Sequence, residues 1–233
     1  MLPVIVLAGG LATRLRPLTA QIPKSLVEVH GEPFLAHQLR LLHSNRIRRV
    51  ILSVSYKGEM IQEFAGNGKQ FGLDIQYSFD GATFLGTGGA IRQALPLLGD
   101  AFFTLYGDSY LTCDFVPVLR AFEASGKQGL MTVFHNQGRW DTSNVQYEDG
   151  KILAYDKRQL TSRMRHIDYG LGLFRKEAFE GCTPGTAADL AVVYQDLLRH
   201  GHLAAYEVAE RFYEIGTIEG LQDTEEFLRR RAG

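Results

Sequence analysis

The stretch Val4–Lys24, VIVLAGGLATRLRPLTAQIPK, constrains this chain more than any other segment. The apolar run Val4–Ala8 leads straight into Gly9-Gly10. Such a run reads as a buried strand feeding a tight turn, where bare glycine backbone can come close to a ligand. Thr13, Arg14, Arg16 and Lys24 follow, and no acidic residue precedes Glu28. Backbone N–H groups and fixed cations around one turn make an anion site, best suited to a polyphosphate. Two familiar phosphate loops are excluded by spelling. GxxxxGK[ST] does not occur, and GxGxxG fails because Ala12 and Leu15 are not glycine.

Strands and helices alternate beyond this point. Phe34, Leu35, Leu39 and Leu42 have helical spacing after Pro33, and Ile61 and Phe64 suit a helix entered near Lys57. A third helix is expected from about Gly89 to Leu98. Between them Val50–Val54, Ile75–Tyr77 and Phe102–Leu105 read as strands. Buried strands separated by helices imply βαβ units and a mostly parallel sheet. The second half is mixed. Leu130–Phe134, Val145–Tyr147, Ile152–Tyr155 and Tyr169–Phe174 read as strands, with a Glu148-Asp149-Gly150 turn joining the middle two. Ala187–Arg199 is an amphipathic helix stopped by Gly201, and Glu219–Arg230 is a charged closing helix. The pattern is that of an α/β fold with an antiparallel part after about residue 136.

Composition narrows the partners. The chain has 233 residues with a net charge of −1, so its basic residues act locally. A nucleic-acid binder or an anionic-membrane binder is not expected, and a small phosphorylated ligand suffices. Cys113 and Cys182 are too few and too far apart for a disulfide framework or a metal knuckle. No apolar run approaches the ~20 residues that span a bilayer, and the first residues lack a signal peptide's basic start. A cytoplasmic protein is expected.

Two further segments bear on the anion site. In open parallel sheets, ligands bind beyond the carboxyl ends of the strands. Asp108 follows the strand Phe102–Leu105 directly, where a carboxylate can hold Mg²⁺ together with substrate phosphates. An ordinary turn cap is the competing role for Asp108, and the cationic loop favours the metal. Gly86-Thr87-Gly88-Gly89-Ala90 precedes a helix and either approaches a flat ligand or forms a flexible N-cap.

Taken together, LAGGLATRLRPLT…IPKSLVEVHGEPFL resembles the GGxGTRLxPLT…PKxxxxxxxxP signature of the sugar-1-phosphate nucleotidylyltransferases. The Gly86–Ala90 loop, Tyr106-Gly107-Asp108, Asp156-Lys157, Ile167–Phe174 and Glu214-Ile215-Gly216-Thr217 follow in the family's order. Within the family, LGTGGAI and the short chain look most like D-glycero-D-manno-heptose 1-phosphate guanylyltransferases. The resemblance implies a Rossmann-like, mostly parallel sheet flanked by helices, with a smaller antiparallel sugar-binding part. It also implies one domain over 1–233, its nucleotide part at about 1–135 and its sugar part at about 136–233.

The implied reaction is attack of a sugar-phosphate oxygen on the α-phosphorus of a nucleoside triphosphate, GTP favoured, with Mg²⁺ as cofactor. Arg14, Lys24 and Asp108 would be catalytic. Leu7, Ala8, Gly9, Gly10, Thr13, Arg14, Thr87 and Gly88 would bind the nucleotide. Asn144, Lys157, Asp168 and Gly170 would bind the sugar phosphate, and Asp108 and Glu214 the metal. Arg16 is expected to face solvent, the histidines to be structural, and Asp141 and Asp196 to be turn and helix residues. Ala12, Glu214 and Asp168 depart from the family's usual glycine, aspartate and asparagine. Other readings are a uridylyltransferase for a hexose or N-acetylmuramic acid 1-phosphate, a cytidylyltransferase for a non-sugar phosphate, and a catalytically silent nucleotide-sugar sensor. A homodimer stays open, and it would be expected to use the globular domain's own surface, not the β-helical extension some relatives carry.

Overall fold

The computed structural model describes residues 1–10, 15, 19–81 and 83–232. The positions of Ala12, Thr13, Arg14 and Arg16 therefore lie outside the described residues. In chain order the first half comprises β1 (Val4–Leu7), the short pair β2 (Glu28–Val29) and β3 (Glu32–Pro33), α1 (Phe34–Ser44), β4 (Arg49–Val54), α2 (Gly58–Ala65), β5 (Asp74–Phe79), α3 (Gly86–Leu98) and β6 (Ala101–Tyr106). The second half comprises β7 (Ser109–Leu111), α4 (Phe115–Ser125), β8 (Gly129–Phe134), β9 (Val145–Glu148), β10 (Lys151–Tyr155), β11 (Ile167–Arg175), α5 (Leu190–Arg199), β12 (Leu203–Val208), β13 (Phe212–Glu214) and α6 (Ile218–Ala232).

Among the described residues the main sheet has seven strands, in the order β12-β8-β11-β6-β1-β4-β5. β1 pairs in parallel with β4 and β6, β4 with β5, and β8 with β12. β11 runs antiparallel between β6 and β8. The sheet is buried on both faces, which is why its strands read as continuous apolar runs. Val4, Val6, Phe103 and Leu105 meet α1, α2 and α4, whereas Ile5, Ile51 and Phe102 meet α3 and α5. No described helix is long and apolar enough to cross a membrane.

Several elements differ from the sequence expectation. α4 was not anticipated, although Asp114 caps it by accepting from the Val116 N–H at 2.9 Å and Gly126 ends it at φ +62°. α3 starts at Gly86, ahead of the expected Gly89, and α5 starts at Leu190, behind Ala187. β12 extends the main sheet, and β7 and β13 form a separate antiparallel pair. Their short runs carry too little pattern to be read locally. The antiparallel part also contains the β9–β10 hairpin.

Gly172 shows how tightly β11 is enclosed. A Cβ there would lie 2.2 Å from the Tyr194 hydroxyl and 2.6 Å from Thr104 Oγ1. Gly172→Ala should therefore destabilise the protein by ~2 kcal/mol, roughly 4–8 °C in Tm. Thermal unfolding followed by circular dichroism checks this, and an unchanged Tm contradicts the packing argument.

Candidate active site

The strand order reverses at β1. β4 lies on one side of it and β6 on the other, so the loops leaving their carboxyl ends diverge and open a crevice. Leu7, Ala8, Gly9 and Gly10 enter it from β1, and Tyr106, Gly107 and Asp108 enter from β6. The two edges are in close contact. Gly107 donates its N–H to the Leu7 carbonyl at 3.0 Å. A Cβ on Gly107 would sit 2.7 Å from that oxygen and 2.8 Å from Ala8 Cα, so only glycine lets the strand ends meet flush. Ser55 Oγ donates to the Gly9 carbonyl at 2.5 Å. A Cβ on Gly10 would meet none of the described residues within 4 Å.

Asp108 is held by its neighbours. From the buried face of α1, the Gln38 amide donates to the carbonyls of Tyr106 and Ser109 at 2.9 and 2.8 Å. This spans the turn that carries Asp108. Gln38 is 0% exposed and was not singled out in the sequence, although a polar residue among Leu35, Leu39 and Leu42 on a buried face is a usable signal. Lys24 Nζ donates to Asp108 Oδ2 at 2.6 Å. The pair β7–β13 sets Glu214 opposite Ser109, and the Ile215 N–H donates to the Asp108 carbonyl at 3.0 Å. Glu214 Oε1 and Lys24 Nζ lie 3.3 and 3.6 Å from the point where a Gly216 Cβ would be. Thus Lys24, Asp108 and Glu214, more than 100 residues apart at the extremes, converge on one point. Among the described residues no three-membered His/Cys/Asp/Glu cluster suited to a metal occurs. Two carboxylates nonetheless fit Mg²⁺, which takes hard oxygens and commonly uses one or two carboxylates beside substrate phosphates.

The glycine-rich loop lines the crevice with Gly86, Thr87 and Ala90 and also packs against another segment of the chain. The N–H groups of Gly88 and Gly89 donate to the Ala188 carbonyl at 2.8 and 3.2 Å, which satisfies donors that a helix start leaves free. Cβ atoms on Gly86 and Gly89 would lie 2.7 and 2.6 Å from the Ala188 and Thr186 carbonyl oxygens. The glycines let α3 pack on the segment leading into α5, and Gly88's N–H is bonded to that segment. Thr87 lines the crevice, and its Oγ1 accepts from the Leu190 N–H at 2.8 Å. Asp80, at the carboxyl end of β5, also lines the crevice and was missed in the sequence. Its position after a parallel strand was the available signal. Burial pushes its carboxyl up from the ordinary range, and the Leu85 N–H bonded to it acts in the opposite direction. Exposed Phe84 lies beside it.

Tyr106 and Asp108 also line a second cleft, together with Asn144, Lys157, Asp168, Gly170 and Glu214. Asn144 Oδ1 accepts the Asp168 N–H at 3.0 Å, and Asp168 Oδ1 accepts the Gly170 N–H at 3.1 Å. Gly170 has φ +97° within a register shift of β11, a backbone turn that favours glycine. Burial pushes the Asp168 carboxyl up, and the neighbouring Lys157 ammonium counters it. That ammonium stands 5.4 Å from the Tyr106 ring centroid, so Lys157, itself an exposed residue, lies at the wall of the cleft. Asp141, expected in a turn, accepts from the Thr142 N–H as such residues do but also lines this cleft.

Residues 3–144, which hold the whole β1–β6 crevice, match the family described as Nucleotidyl transferase. The chain is 28% identical over 95% of its length to N-acetylmuramate α-1-phosphate uridylyltransferase of Neisseria meningitidis serogroup B, 96% of which is covered. It is 31% identical to D-glycero-α-D-manno-heptose 1-phosphate guanylyltransferase of Campylobacter jejuni, over 75% of this chain and 76% of that one. HddC from Yersinia pseudotuberculosis, crystallised with GMP-PN, has the same fold, with a TM-score of 0.81 across 98% of this chain and 100% of that one at 24% identity. With Leu7–Gly10, Lys24 and Tyr106–Asp108 gathered at the strand-order reversal and the family match extending over that region, the chain belongs to the nucleotidyl transferase family and is an enzyme of its sugar-1-phosphate nucleotidyltransferase class.

Proposed function

We propose that the enzyme transfers GMP from GTP to D-glycero-D-manno-heptose 1-phosphate or a related neutral sugar 1-phosphate, releasing pyrophosphate. The observation that carries this reading is the sharing of Asp108 and Tyr106 by both clefts, with the Lys24–Asp108 pair beside them. A nucleotide in the first cleft and a sugar phosphate in the second then bring their phosphates together at that boundary. The protein contributes positioning and charge neutralisation to an in-line displacement. Lys24 would neutralise the transferring α-phosphate, with substrate oxygens replacing the carboxylate that it now contacts. Lys157 would hold the sugar phosphate, while Asn144 and Asp168 face hydroxyl groups. Arg14, outside the described residues, would stabilise the departing pyrophosphate. Asp108 and Glu214 would hold Mg²⁺, which when bound supplies further neutralisation of phosphate charge.

Base and sugar choice rest on carboxylates. Asp80 can accept from both the N1–H and the 2-amino group of guanine, whereas uracil offers one N–H between two repelled carbonyls. The second cleft carries Asp108, Asp141, Asp168 and Glu214 against Lys157. Carboxylates suit the hydroxyl donors of a neutral sugar and oppose a sugar bearing its own carboxylate. This favours a heptose over N-acetylmuramic acid. The uridylyltransferase reading keeps one support, the likeness to the Neisseria meningitidis protein over 95% of this chain.

A pyrophosphate-release assay with Mg²⁺, four nucleoside triphosphates and a panel of sugar 1-phosphates should give turnover led by GTP and the heptose 1-phosphate. Silence with every pair would leave the nucleotide-sugar sensor instead. Asp108→Asn should stay folded and lose about 100-fold or more in kcat/KM, roughly 3 kcal/mol of barrier. Full activity in that variant would mean that the metal lies elsewhere. Asp80→Asn should lower the GTP-to-UTP ratio of kcat/KM by about tenfold, some 1.4 kcal/mol, and an unmoved ratio removes Asp80 from base selection.

A further inference from the structure

Trp140, the sole tryptophan, has φ +68°, a left-handed conformation that is an outlier for so bulky a residue. Such strain persists where surrounding contacts over-determine it. Part of the restraint is internal to the loop. Asn136 is 1% exposed, its amide donates to the Asp141 carbonyl at 2.7 Å, and Ser143 Oγ donates to Asn136 Oδ1 at 2.7 Å. The rest is external. The Arg211 guanidinium carbon lies 4.3 Å from the Trp140 ring centroid and 4.7 Å from that of Tyr213. Its Nη2 donates to Asp223 Oδ2 on α6 at 2.5 Å, and Tyr213 stacks on Phe227 of the same helix at 4.0 Å.

The neighbours of these aromatic residues make the column more than surface packing. Asp141 follows Trp140 and Glu214 follows Tyr213, and both carboxylates line the second cleft. Successive strand side chains point to opposite faces, so fixing Tyr213 outward fixes Glu214 inward. We infer that Arg211 is a positioning residue, a clamp between Trp140 and Tyr213 that sets the two acidic walls of the second cleft against each other. It touches no substrate. A planar cation held between aromatic rings suits this role, because its faces bind the rings while its edge pairs with Asp223. Lysine would keep the charge but lose the flat face.

The inference rests on the second cleft being the sugar-phosphate cleft, and its test has an arm independent of that reading. Without any ligand, Arg211→Lys should shift Trp140 emission to the red and make it more accessible to acrylamide. With GTP and the heptose 1-phosphate, KM for the sugar phosphate should rise about tenfold and kcat should fall with the displacement of Glu214, while KM for GTP stays within about twofold. Trp140→Ala should reproduce the kinetic split, and Trp140→Phe, which keeps an aromatic face, should keep the sugar-phosphate KM close to that of the wild type. Unchanged Trp140 emission in Arg211→Lys overturns the clamp. So does an unchanged sugar-phosphate KM, or a parallel rise in both KM values, which would indicate general damage. A wild-type enzyme silent with every sugar phosphate counts against the proposed function, while the emission arm still decides the clamp.

Discussion

The parallel pairing of β6 with β1, ending in the contact of Gly107 with Leu7 and Ala8, is the constraint on which the rest of the site depends. The chain passes from β1 out to β4 and β5, then returns through α3 to lay β6 on the other side of β1. Two loops far apart in sequence thereby leave the sheet side by side. A Cβ on Gly107 would collide with backbone that cannot move without unpairing a strand. Asp108 consequently emerges where Lys24 can reach it, and the buried Gln38 amide fixes the turn from behind. The acid–base pair at the centre of the site is thus a consequence of sheet topology.

A second constraint comes from the opposite end of the chain. β13 is three residues long, yet by pairing with β7 it delivers Glu214 to the same point as Lys24 and Asp108. The two clefts meet there and share Asp108 and Tyr106. Under the proposed function, one patch of charge acts on both phosphates of a bimolecular reaction and serves proximity and electrostatic stabilisation together.

Much of this was legible in the residues. Strands buried on both faces give continuous apolar runs, so β1, β4, β6 and β8 were readable, and the helices between them implied parallel pairing. Asp108 stood out because a carboxylate directly after such a strand faces the crevice. Other residues left weaker marks. Asp80 follows β5 in the same way but lacks a neighbouring motif, and Asp141 looks like any turn aspartate. The glycines at 86–89 turned out to have a packing role as well. Glycine marks a close approach of backbone without saying to what, and here the approaching group is the 186–189 segment of the chain itself.

By itself, the sequence determined the α/β class and pointed to a cationic glycine turn after the first strand, because these follow from local pattern and spacing, and its motifs carried the resemblance to a nucleotide-transferring family. Only the tertiary structure decided that Lys24, Asp108 and Glu214 form one cluster, that Gly88 serves packing, and that Asp80 and Asp141 enter the clefts. It also brought Trp140, Arg211 and Tyr213 together as one column. These facts depend on which strands pair and which side chains meet across long stretches of chain, 84 residues in the case of Lys24 and Asp108. Hydrophobic burial drives that assembly without direction, and the convergence appears only once strand order and register have been set.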